Sequence, residues 1–119
     1  MNYLQLSLIA LVSIIHIYIL YLEMALWTTK KGIKAFELKS KEFAEETKVM
    51  AANQGLYNGF LAAGLIWSII SEKTDVALFF LCCVFVAGIY GAFSTKNKRI
   101  LYIQSIPAGL GILTLFLQL

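Results

Sequence analysis

Four long apolar stretches take up most of this chain, and two of the three connections between them are only five residues long. The stretches cover residues 4–27, 50–70, 76–94 and 100–119. Each is close to the roughly 20 residues that a helix needs to cross a bilayer. Of the 119 residues, 60% are hydrophobic and 14% charged, against about 25% charged in an ordinary soluble domain. A soluble domain of this size has too little interior to hide so many apolar side chains. In lipid, backbone N–H and C=O groups must be satisfied within the segment, which leaves helices as the solution.

The short connections, 71–75 and 95–99, force antiparallel neighbours. The expected fold is therefore all-α: a four-transmembrane-helix up-and-down bundle forming one integral membrane domain over residues 1–119. The first stretch is expected to stay in the mature protein. It has no basic n-region, its apolar run is too long for a signal peptide, and no small-x-small site ends it.

Lysine and arginine set the orientation. The long connection, 28–49, carries Lys30, Lys31, Lys34, Lys39, Lys41 and Lys48, and the last carries Lys96, Lys98 and Arg99. The middle connection has only Lys73. The positive-inside rule puts the nine basic residues in the cytoplasm and both termini outside, in a multi-pass protein of the bacterial inner or plasma membrane.

Within the long connection, Ser40 followed by Glu42, Glu45 and Glu46 reads as an N-cap with acidic residues after it. The second helix is thus expected from about residue 40 to about 71, roughly 48 Å at 1.5 Å per residue, and extends into the cytoplasm. Phe36 and Phe43 suit the bilayer interface or a cap on the bundle. The adjacent Cys82 and Cys83 read as small hydrophobes, since a metal site needs spaced ligands. No metal and no cofactor is expected.

The second stretch opens with "NQGLYNGF". On a helical wheel Asn53, Gln54, Tyr57 and Asn58 gather on one side, with Ser68 further along. Gly55, Gly59, Ala52, Ala62 and Ala63 gather on nearly the opposite side. That small face is a G-x-x-x-G pattern, which lets helices approach closely, and Gly55, Gly59 and Ala63 could form a homo-oligomer contact. In the first stretch Gln5, His16, Glu23 and Trp27 share a stripe with Ile9, Val12 and Leu20. His16 and Glu23 lie about 10 Å apart along the helix, too far to bond directly.

Depth brings these groups together. His16, Glu23, Asn53, Gln54, Tyr57, Asn58 and Gln104 all fall in or near the cytoplasmic half. Pro107 removes a helix donor and frees the Ile103 carbonyl beside Gln104. Amides and tyrosines in membrane helices often serve only as interhelical hydrogen bonds, but an ionisable group there marks a functional site by default. A carboxyl at Glu23 would be a counter-charge or proton carrier, and His16 its partner.

Three readings follow. The first is a pocket that binds or transports a small polar or cationic solute. The second is an intramembrane enzyme for a lipid or other hydrophobic substrate, with Glu23 and His16 as acid and base. It lacks a metal set, a nucleophile motif or a phosphate-binding loop. The third is a structural or assembly protein whose polar groups lock the helices. The partners expected are the lipid bilayer and a small solute or lipid, and nothing marks a nucleic-acid binder.

Four blocks then carry a resemblance: "HIYILYLEMALW", "AANQGLYNGFLAAGLIW", "VAGIYGA" and "QSIPA". Together they span nearly the whole chain, which resembles a family of small bacterial membrane proteins of unknown function. The resemblance implies four membrane helices. It carries no catalytic assignment.

Overall fold

The structure is a computed structural model that describes residues 1–119, and it is helical throughout, with no strand. Helix α1 covers Tyr3–Ala25, α2 Lys30–Ala35, α3 Lys41–Ile70 and α4 Thr74–Thr95. The last helical run starts as α5, Lys98–Ile100, passes through a π turn at Leu101–Ser105, and continues as α6, Ile106–Phe116. Three of these runs are long and apolar enough to cross a membrane: α1, α4 and Lys98–Phe116. Helix α3 is longer still, at 30 residues, but its N-terminal part is charged and it is not among the three.

Local chemistry sets the ends of these helices. Asn2 and Gln5 form a reciprocal capping box at the start of α1. The Gln5 N–H donates to Asn2 Oδ1 at 2.9 Å, and the Asn2 N–H donates to Gln5 Oε1 at 3.0 Å. Ser40 caps α3 by accepting from the Phe43 N–H at 3.0 Å. The C-terminus of α3 closes on Glu72, which lies in the left-handed region at φ 52°. There the Lys73 N–H reaches the Ser68 carbonyl at 3.0 Å and the Glu72 N–H reaches Ile69, a Schellman motif built without glycine.

Two compact units divide the chain, and the division falls within α1 and within α3. The first unit holds Met1–Ile15 and Leu61–Leu119. In it, segments of α1 and α3 pack with α4 and α6 around one core of Ile9, Val12, Leu65, Leu81, Val84 and Leu115, with alanines between them. The buried positions on α4, Ala77, Leu81, Val84 and Gly88, follow the alternating four-three spacing of a helix seam. Hydrogen bonds cross this unit at several levels. Gln5 Nε2 donates to the Thr114 carbonyl at 3.0 Å and Asn2 Nδ2 to the Leu119 carbonyl at 2.7 Å, so α1 and α6 run antiparallel. Ser13 Oγ donates to the Ala62 carbonyl at 3.2 Å.

Pro107 does not end the last helix. It sits at the second position of α6, directly after the π turn, in which the Ile106 N–H donates to the Leu101 carbonyl. The wider turn accommodates the missing proline donor. It also presents Ser105, buried, to α4, where its Oγ donates to the Phe85 carbonyl at 2.9 Å.

The second unit, His16–Phe60, holds the C-terminal part of α1, all of α2 and the N-terminal part of α3. Its α1 and α3 segments meet along the small side chains of α3, described with the site below.

Polarity in this fold is reversed from that of a water-soluble bundle. Gln5, Ser13, His16, Glu23, Asn58 and Thr114 are buried, while Ile14, Phe79, Val86, Phe93 and Leu113 face outward, Phe79 at 63% and Phe93 at 86% exposure. Burying polar groups in hydrogen-bonded pairs and exposing hydrocarbon is the arrangement that suits lipid surroundings.

Candidate intramembrane polar site

The site is built on two faces of the second unit. On the α1 segment of this unit the buried positions are His16, Leu22 and Glu23, with Leu20 and Trp27 half-buried. On α3 the buried positions are Ala44, Ala51, Gly55 and Asn58. Gly55 decides how close these two helices come. A Cβ placed there would lie 2.7 Å from Met24 Cγ and 3.1 Å from Glu23 Cβ. Hydrogen in place of a methyl therefore lets the α1 backbone approach, as small residues do in membrane helix pairs.

That approach brings the amide of Asn58 to the carboxyl of Glu23. Asn58 Nδ2 donates to Glu23 Oε1 at 2.5 Å, and also to the Gln54 carbonyl one turn back at 3.2 Å. Both side chains are buried, Glu23 at 6% and Asn58 at 8% exposure. A carboxylate accepts such a bond with its charge intact, and a hydrogen bond to a charged group is stronger than one between neutral groups. The second carboxyl oxygen remains to meet a cation, a proton or a hydroxyl.

His16 lies two turns before Glu23 on the same stripe and is 1% exposed. It is not isolated, although its Nε2 is a buried nitrogen that meets no hydrogen-bond partner. Trp27, one turn beyond Glu23, donates its Nε1–H to Thr47 Oγ1 on α3 at 3.0 Å. Thr47 in turn donates to the Phe43 carbonyl at 2.7 Å.

The remaining candidates are not gathered in. Asn53 is exposed and turns back to its own helix, with Nδ2 on the Val49 carbonyl at 3.1 Å. Gln54 is exposed. Tyr57 is 60% exposed and packs edge-on against Phe60. Gln104 belongs to the other unit, half-buried in the π turn. The division of α3 into a polar and a small face therefore needs correction at Asn58. It follows Gly55 by three residues and so shares its face, about 60° away on the wheel. Gly55 and Gly59 are also taken up within the chain, Gly59 facing Leu20, whereas Ala63 is exposed.

Thr47 went unnoticed in the sequence, yet its spacing to Ala44 and Ala51 puts it on the buried face opposite an indole that needs an acceptor. No three His, Cys, Asp or Glu side chains come together in a group that could hold a metal.

Comparisons with known proteins find a relative and a family without assigning an activity. The chain is 31% identical over 118 residues to the uncharacterized protein YpaA of Lactococcus lactis subsp. lactis (strain IL1403), an alignment covering 97% of this chain and 96% of that protein. No solved structure matches the chain. Residues 10–116 match the family described as "Protein of unknown function (DUF1304)", and the chain belongs to that family.

Proposed function

We propose that the chain is a four-span protein of the cell membrane that binds a small cationic or polar solute at Glu23. Helix α3 is the fourth span on this reading. What supports it is the packing of the first unit, where Leu65 of α3 shares a core with residues of the three apolar helices. Outward from that core α3 exposes Ile66, Trp67 and Ile70. At about 1.5 Å per residue α3 is long enough to cross and still project beyond the headgroups. The distribution of basic residues supports a cytoplasmic location for α2 and for the connection before α5.

One observation carries the binding role: a buried carboxyl in an apolar helix, held by a single amide. Such a group is costly in a membrane and persists where it serves as counter-charge or proton site. Acid–base catalysis has less support, because the direct hydrogen-bond partner of Glu23 is an amide, which carries no proton to transfer near neutral pH.

A helix-locking role is the second reading. It is favoured by the bonds of Ser13, Ser105 and Gln5, all of which end on backbone carbonyls of neighbouring helices. Native mass spectrometry of the purified chain in mild detergent separates the two. A small molecule retained by the wild type and lost in Glu23→Gln supports binding, because glutamine keeps the shape and removes the charge. Ligand-free spectra for both would leave helix locking as the role of the pair.

A further inference from the structure

The segment between α1 and α3 is a fixed platform. Gly32, in the middle of α2, packs so tightly on the Leu26 carbonyl and the Trp27 backbone that a Cβ has no room. At the end of α2, the Phe36 ring lies 4.9 Å from that of Trp27. Trp27 is itself tied to α3 through Thr47. Helix α2 is therefore pinned at its middle and its end, and Lys30, Lys31 and Lys34 all stand exposed on it.

One of these lysines lies beside an aromatic ring on the flank of an apolar helix. Lys31 Nζ is 5.4 Å from the centroid of the Tyr18 ring, which sits on the outward face of α1 together with Tyr21. Lys39 Nζ is 4.8 Å from the Phe43 ring. No acidic residue occurs from Thr28 to Phe36. Tyrosine and tryptophan settle at the headgroup level of a bilayer, and lysines just beyond a span are drawn to anionic lipids.

We infer that α2 is a docking surface for anionic phospholipid headgroups, with the ammonium groups of Lys30, Lys31 and Lys34 on the phosphate. The lipid headgroup is the occupant because Lys31 lies back along the tyrosine-bearing side of α1, and tyrosines on an apolar helix settle at the headgroup level of a bilayer. This rests on the chain being embedded in a membrane and not on any role of Glu23.

The test is native mass spectrometry of the full chain in mild detergent with equimolar phosphatidylglycerol and phosphatidylcholine. Wild type is expected to retain phosphatidylglycerol preferentially. The triple variant Lys30→Gln, Lys31→Gln, Lys34→Gln should lose that preference by about fivefold per lysine. Arginine at the same three positions should keep it. The variant Lys96→Gln, Lys98→Gln, Arg99→Gln removes the same charge elsewhere and should also keep it. Circular dichroism checks that each variant is folded. If the α2 triple fails that check, the single changes Lys30→Gln and Lys34→Gln decide, each expected to weaken retention about fivefold. Preference surviving in the folded α2 variants, or lost equally in the Lys96–Arg99 variant, would overturn the assignment. Neither outcome depends on a solute at Glu23.

Discussion

Asn58 reaches Glu23 across 35 residues of sequence, with its amide nitrogen 2.5 Å from a carboxyl oxygen and both groups buried. Neither residue could occupy its position alone at low cost. The carboxyl without this donor loses its amide partner, and the amide without this acceptor keeps only the Gln54 carbonyl one turn back.

A double-mutant cycle should therefore register the pair. Asn58→Leu is expected to cost more than Glu23→Gln, since it leaves a buried carboxyl without its amide. The coupling between the two should be about 1 kcal/mol, the upper part of the range for polar contacts between membrane helices. Unfolding in mixed micelles followed by circular dichroism measures it. Strictly additive effects would show that the bond contributes nothing.

Gly55 sets the distance over which that bond forms. Alanine there meets Met24 Cγ, with Glu23 Cβ and the Leu20 carbonyl just beyond, and should cost about 1–2 kcal/mol, while Gly55→Val should cost about 2–3 kcal/mol by overpacking. Ala63→Val, on an exposed position, should change stability by less than about 0.5 kcal/mol. Equal effects at residues 55 and 63 would contradict the described helix contact.

Ser105 is the polar tie between the π turn and α4. Ser105→Ala should destabilise by about 1 kcal/mol. Amide exchange near Phe85 and the π turn should quicken relative to the rest of α4. Unchanged exchange there would mean that the hydroxyl bond to Phe85 does not hold the turn.

Glu72 holds a left-handed conformation that favours glycine. Glu72→Gly should raise stability by roughly 0.5–1 kcal/mol, since an L side chain pays about that much in this region. A thermal shift measured in detergent reads the gain. A loss instead would mean that the Glu72 side chain makes a stabilising contact.

The helices were legible because their signals are local. The apolar runs, Ser40 with its trailing glutamates, and the stripe from Gln5 to Glu23 need no knowledge of a partner. Asn58 was not legible in the same way. It lies about 40° from Gln54 and about 60° from Gly55 on the wheel. Which neighbour it joins depends on where α1 packs, and that is tertiary information. Asn53 and Tyr57 looked like members of a cluster because polarity in an apolar run suggests burial. Val49 offers Asn53 a carbonyl on its own helix, and Phe60 offers Tyr57 a ring. The consequence of Pro107 was legible as a disturbed hydrogen-bond ladder but not as a π turn, since the extra residue is absorbed by the contact of Ser105 with Phe85.

The reversed polarity of the fold separates two kinds of information in this sequence. Packing is written along the inner stripes, in Ile9, Val12, Leu65, Leu81 and the hydrogen-bonded polar groups among them. Outward residues such as Ile14, Phe79, Val86 and Phe93 make up a separate layer that faces the surroundings. The inner stripes encode the architecture and the outer layer encodes the solvent. A change confined to the outer layer would therefore alter which surroundings suit the protein while leaving its packing instructions intact.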